Sequence, residues 1–292
     1  MRTLALVGLT ILAAQCHADT CSHSQEKVGQ RVHILGIGVD TYNYTTSFVS
    51  SEREVRDVVA AFATNLCVPT KQITIIGQSA SPTRANILRA YLGTLKRMKK
   101  GDYLIFIFAG HGFEGDVFHV LPQDAYFEQN SLEAASATAI SLPSLKRIAR
   151  DYGVSEVFFI FDACRTFPVS QGSTRTTVLW STLQGAPSYE ISGRGLFFPK
   201  LTTYLRSVPT VKLDDLPTVS QKATNSLALG LFTQNSTLVV DRPPNRSSSP
   251  AQPTGPTSSR GNAEETVPEQ NTQKGTFLKL VWPTWVKLSM DN

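Results

Sequence analysis

Apolar residues cluster in five short runs, at residues 32–39, 73–76, 103–109, 157–161 and 178–180. They lack the apolar–polar alternation of half-exposed strands and together are rich in Ile, Val and Phe. Strands buried on both faces of a parallel sheet read this way. Between the runs the apolar positions move to helical spacing. Val55, Val58, Val59 and Phe62 line one face of a helix beginning near Glu52. Ile87, Leu88, Tyr91, Leu92, Leu95 and Met98 line a second, with Thr83 as N-cap. Leu142, Leu145, Ile148 and Ala149 mark a third, opened by Ser141 and Pro143 and closed at Gly153. Strand–helix–strand order predicts an α/β fold with a mostly parallel central sheet and helices on both faces.

The ends of the chain break the pattern. Met1 and Arg2 precede an apolar run from Leu4 to Ala14, and Ala18 follows at a small-residue boundary. This is the three-part pattern of a secretory signal peptide over residues 1–18, ahead of a globular domain at 19–240. A buried N-terminal helix is one alternative. Lipid anchoring at Cys16 is another, the weaker for the bulky Gln15 beside it. From 241 to 275 the chain holds six Pro, five Ser and only three apolar residues, a linker too polar to fold. Residues 276–292 close the chain with a short aromatic segment around Trp282 and Trp285, interrupted by Pro283. A strand docking on the body is the favoured reading there, ahead of a membrane or partner anchor.

Composition narrows the function. A chain of 292 residues with 41% hydrophobic content is long enough for one large domain or two small ones. Its net charge of +5 is spread without a basic block, so nucleic-acid binding is unsupported. No apolar run reaches the roughly 18–20 residues needed to span a bilayer. Four cysteines do not make a disulfide scaffold. Cleavage after Ala18 leaves Cys21, Cys67 and Cys164, an odd number for an exported chain. A Cys21–Cys67 pair is one arrangement, leaving Cys164 as a free thiol.

Two strand ends carry the candidate chemistry. The run at 103–109 leads into Gly110-His111-Gly112, and the run at 157–161 leads into Asp162-Ala163-Cys164-Arg165. Open α/β sheets bind ligands at the carboxyl ends of their strands. The His–Cys spacing of 53 positions leaves room for one crossover unit, so the two strands can be neighbours. Cysteine attacks as a thiolate, and an adjacent imidazole can take up its proton and deliver it to a leaving amine. The backbone N–H groups of Gly112 and Cys164 are placed to hold the oxyanion of a tetrahedral intermediate. No Cys-x-x-Cys, His-Glu-x-x-His or phosphate-loop pattern occurs, so no metal or nucleotide cofactor is implied. His119, in a strand-like run, reads as structural.

These residues resemble the caspase-like (clan CD, peptidase C14) cysteine peptidases, and more closely their bacterial metacaspase-like branch. Ala163-Cys164-Arg165 matches the core of the nucleophile motif, with Asp162 and Thr166 in place of its flanking Gln and Gly. Further family-like segments occur in order: Ile34-Leu35-Gly36-Ile37-Gly38, Leu121-Pro122-Gln123-Asp124-Ala125, Ala139-Ile140-Ser141-Leu142 and Gly193-Arg194-Gly195-Leu196-Phe197. The resemblance covers residues 31–206.

It implies a three-layer α/β sandwich in which His111 is the acid/base and Cys164 the nucleophile. It implies protein or peptide substrates. Metacaspase-like enzymes, which cleave after Arg or Lys, place an Asp where Asp162 stands, in the pocket for the residue before the scissile bond. By register, Glu54 replaces the Asp of a second family pocket position, with Arg53 next to it able to neutralise it. Arg175, in the loop after Cys164, is the expected self-processing site. Some metacaspases are calcium-activated, but no acidic ligand cluster is evident, and Asp214-Asp215 reads as a solvated pair. Two rivals remain: a non-catalytic scaffold of the same fold, and cleavage after Asp using Arg165 or Arg53.

Overall fold

The computed structural model describes residues 21–241 apart from 49, 78–79, 115–116, 127–131, 155, 165–175, 183–187, 189, 192–193, 209–210, 226, 230–231 and 235. The expected signal sequence with Cys16, the expected linker beyond Asp241, the aromatic C-terminal segment and Arg175 lie outside the described residues.

Six strands form the central sheet: β1 (Val32–Gly38), β2 (Ile73–Ile76), β3 (Tyr103–Ala109), β4 (Glu156–Asp162), β5 (Thr176–Trp180) and β6 (Thr237–Asp241). Their spatial order is β6-β5-β4-β3-β1-β2. Every neighbouring pair is parallel except the β5–β6 edge, which is antiparallel. The edge strand closes on Asp241, the first residue of the expected linker.

The main helices are α1 (His23–Gly29), α2 (Ser51–Leu66), α3 (Arg84–Arg97), α4 (Leu142–Asp151), α5 (Phe197–Ser207) and α6 (Leu216–Thr224), with a further one at Leu132–Thr138. Their starts follow local chemistry. The Thr83 side chain accepts the Asn86 N–H at 3.3 Å, and Ser141 accepts the Ser144 N–H at 3.3 Å. Gly153, at φ +73°, terminates α4.

All seven residues of β1 and of β3 are buried, which explains why neither alternates in sequence. Ile105 and Ile107 of β3 point to one face. There they join Val55, Val58, Val59 and Phe62 of α2 and Phe197, Phe198, Leu201 and Leu205 of α5 in one core. Phe106 points to the other face, where its ring meets Tyr91 of α3 at 5.7 Å. The Tyr91 hydroxyl in turn donates to the Leu145 carbonyl of α4 at 2.9 Å. Helices thus cover both faces.

Two contacts set the position of α2. A Cβ at Gly38 would lie 2.4 Å from the Glu52 Cα, so only glycine lets the start of α2 come this close to the end of β1. At its other end Cys67 takes up the left-handed conformation, φ 56°, and is disulfide-bonded to Cys21. The pairing leaves Cys164 as the free cysteine among the described residues.

The disulfide closes a sequence separation of 46 residues. We expect Cys21→Ser to lower the unfolding free energy by about 2–4 kcal/mol, as restored loop entropy in the unfolded chain would. Urea denaturation of both forms measures this; coincident midpoints would show that the crosslink constrains nothing.

Candidate active site

β3 and β4 pair in parallel, with Ala109 opposite Asp162. His111 and Cys164 each lie two residues beyond that rung, at the carboxyl end of neighbouring strands. The Gly110 N–H donates to the Asp162 carbonyl at 3.2 Å and carries the pairing one step further. A Cβ on Gly112 would lie 3.0 Å from the Ala163 Cβ, so the segment after His111 runs directly against the residue before Cys164. The structure therefore brings the predicted pair together.

The Leu121 N–H donates to the His111 carbonyl at 3.0 Å. Gly112 pairs with Val120 at the next, non-hydrogen-bonded position of that antiparallel ladder, which leaves the Gly112 N–H unspent on it.

His111 is held from several sides. Its Nε2 lies 2.8 Å from the Thr46 carbonyl oxygen, so in the neutral ring Nε2 carries the proton and donates it there. The lone-pair nitrogen is then Nδ1. The His111 N–H donates to the Tyr42 hydroxyl at 2.7 Å. Tyr42 and Phe48 pack on the imidazole with ring centroids at 4.7 and 4.4 Å. Burial lowers the His111 pKa to about 4, opposed by the bond to Thr46. Cys164 is pushed up to about 12, by burial first and by the charge of Asp162, against a hydrogen bond from the Ser188 N–H to Sγ at 3.4 Å. Both shifts favour the neutral forms, a thiol and an imidazole.

Beside this pair two carboxylates converge. Asp162 Oδ1 accepts the Ser188 hydroxyl at 2.6 Å, and Ser188 accepts from Ser181 at 3.2 Å. Burial raises the Asp162 pKa, while hydrogen bonds from Ser188, Ser181 and the Phe198 N–H in the first turn of α5 oppose the shift. Glu54, in the first turn of α2, is buried, whereas Arg53 is exposed. Glu54 Oε1 accepts from the Ser50 hydroxyl at 2.7 Å and the Gly195 N–H at 2.8 Å. A Cβ on Gly195 would lie 2.8 Å from Glu54 Oε2 and 3.2 Å from Asp162 Oδ2. Glu54 Oε2 and Asp162 Oδ2 thus both border the point that a side chain at 195 would fill. The expectation that Arg53 neutralises Glu54 fails on this geometry.

Thr46, Tyr42 and Ser188 escaped the sequence reading. A backbone carbonyl carries no residue signature, and Ser188 acts through a contact made only on folding. Gly195 stood within a quoted motif, though its role as pocket floor was not visible. His119 lies in the short strand Phe118–Val120, stacked on Phe113 at 4.8 Å, as a structural residue would be. Asp214 and Asp215 are exposed. Among the described residues no group of three or more His, Cys, Asp or Glu is arranged to hold a metal ion. No helix among them is long and apolar enough to cross a membrane.

The six-stranded, mostly parallel sheet with helices on both faces has solved counterparts. The chain is similar to the protein GSU0716 from Geobacter sulfurreducens, at 13% identity and a TM-score of 0.55, over 74% of this chain and 95% of that one. It is similar to caspase-1 from Spodoptera frugiperda, at 14% identity and a TM-score of 0.52, over 73% and 87% of the two chains. These likenesses establish the caspase-like fold. Residues 32–261 match the peptidase C14 family model for the caspase domain, and the chain belongs to that family. No curated protein matches it.

Two outcomes follow from the buried titratable groups. Alkylation of Cys164 by iodoacetamide should rise about tenfold per pH unit from pH 6 to 9, because reactivity tracks the thiolate fraction. A plateau below pH 7 would instead mean that His111 holds a preformed thiolate. For Asp162 the folded-state pKa is raised, so the carboxylate costs stability once pH exceeds the ordinary carboxylate range. Asp162→Asn should therefore unfold at higher urea than the parent at pH 7, with the difference vanishing near pH 3; equal midpoints at pH 7 would refute the assignment.

Proposed function

We propose that the protein is an exported cysteine endopeptidase of the metacaspase-like branch, cleaving after Arg or Lys. The observation that carries this reading is the convergence of Asp162 and Glu54 beside the His111–Cys164 pair. Two buried carboxylates bordering one point favour a cationic side chain there, which a guanidinium or ammonium supplies. An Asp two residues before the nucleophile, in place of Gln, supports the branch.

In this reading a basic side chain enters between the acids, setting the following carbonyl over Cys164. The Sγ proton passes to His111 Nδ1 as sulfur attacks the carbonyl carbon. The oxyanion accepts the N–H groups of Gly112 and Cys164. His111 then gives its proton to the leaving amine and the C–N bond breaks. Water, deprotonated by the same imidazole, hydrolyses the thioester and restores the thiol. Because burial favours the neutral thiol and imidazole, substrate arrival would trigger the proton transfer. The same burial favours the second reading, a non-catalytic peptide-binding scaffold. The Cys21–Cys67 disulfide supports export through the 1–18 signal, because such bonds persist in oxidising compartments. Self-cleavage at Arg175 belongs to the same proposal; calcium activation remains an expectation without a ligand set among the described residues.

The test is cleavage of paired peptides with Arg or Asp before the scissile bond, using reduced mature protein. Arg peptides should be cleaved and Asp peptides not, with activity lost in Cys164→Ala. Asp162→Asn should cost about 30-fold or more in kcat/KM, the low end for breaking a buried charge pair. Preference for Asp would overturn the pocket, and no cleavage of either peptide would favour the scaffold.

A further inference from the structure

Ser188 touches both halves of the candidate site. Its hydroxyl donates to Asp162 Oδ1 at 2.6 Å and accepts the Ser181 hydroxyl at 3.2 Å. Its N–H donates to Cys164 Sγ at 3.4 Å. Asp162 and Cys164 are buried and only two positions apart in the chain, while Ser188 is half-buried and reaches them from 24 positions beyond the cysteine. One residue therefore bonds an acid through its side chain and the nucleophile through its backbone.

The second oxygen of that acid faces elsewhere. Asp162 Oδ2 borders the point above Gly195, together with Glu54 Oε2. A cation placed there bears on the same carboxylate that holds the Ser188 hydroxyl. With no cation present, burial favours protonated Asp162, whose bond to Ser188 is an ordinary neutral one. A guanidinium seated on the acids keeps Asp162 ionised and makes that bond charge-assisted, roughly twice as strong. Ser188 is then held more firmly, and with it the N–H on the sulfur. A donor on sulfur favours the thiolate, the form that attacks.

We propose that Ser188 is a positioning residue that couples the acid pair to the nucleophile, so that a basic side chain on Asp162 and Glu54 raises the reactivity of Cys164. This rests on the reading of the two acids as the pocket for that side chain. The coupling makes charge recognition part of thiol activation, beyond its role in binding.

The experiment measures how fast iodoacetamide alkylates Cys164 in the full chain near neutral pH, by mass spectrometry of the Cys164 peptide. The probe is butylguanidine, an arginine side chain without a backbone, and butylurea is its uncharged counterpart. Butylguanidine should speed alkylation about tenfold, equivalent to a fall of about one unit in the thiol pKa, and butylurea should not. In Ser188→Ala the acceleration should disappear, while butylguanidine still raises the melting temperature. Ser188→Gly takes its place if that variant does not fold. A cation acting on the sulfur through space alone needs no hydroxyl at 188, so acceleration kept in the variant overturns the proposal. A wild type that butylguanidine stabilises without faster alkylation overturns it as well.

The acid-pair reading is checked separately by the melting temperatures. If butylguanidine fails to stabilise the wild type, or stabilises Asp162→Asn equally, that reading fails and the coupling falls with it.

Discussion

β3 and β4 run in parallel over seven rungs, from Tyr103 opposite Glu156 to Ala109 opposite Asp162. The five inner rungs are Leu, Ile, Val and Phe side chains with no chemistry of their own, buried on both faces between α2 and α5 on one side and α3 and α4 on the other. A slip of one residue would move Cys164 about 3.3 Å along the strand and turn its side chain to the opposite face. It would also carry Asp162 away from Glu54. The proximity of the thiol, the imidazole and the two acids therefore rests on an apolar packing register, and core substitutions act on the site through that register as well as through stability.

The same burial that fixes the site places its titratable groups out of their ordinary ranges, in the direction of the neutral form: Cys164 and Asp162 upward, His111 downward. For Asp162 this is a folding cost, which in the proposed function a bound basic side chain would offset. Ser188 links the two halves of the site. Its hydroxyl is on Asp162 and its N–H on the Cys164 sulfur, so a cation that draws the carboxylate acts on a residue already touching the nucleophile.

Much of this was legible in the sequence. The five central-sheet strands read as apolar runs because parallel strands buried on both faces leave no alternation to misread. The caps at Thr83 and Ser141 and the stop at Gly153 were visible from local chemistry, whereas the Cys21–Cys67 pair was one arrangement among those the sequence allowed and the fold decides it. The edge strand Thr237–Asp241 was missed, since its short apolar stretch runs straight into the polar linker. In the site, His111 and Cys164 stood out by strand-end placement. Thr46 and Tyr42 did not, because they act through a backbone carbonyl and a hydroxyl brought in from a loop some 65–69 positions away.

Glu54 shows most clearly what sequence could not settle. On a helical wheel it neighbours Arg53, and the pair reads equally well as a solvated ion pair or as a pocket acid beside its neutraliser. What decides is the approach of α2 to β1 over Gly38, which turns Glu54 inward and leaves Arg53 in solvent. Glu54 Oε2 and Asp162 Oδ2 then border the same space above Gly195. In the proposed function, two acids on separate elements suit the planar fork of a guanidinium better than the single point charge of an ammonium, which favours arginine over lysine before the scissile bond.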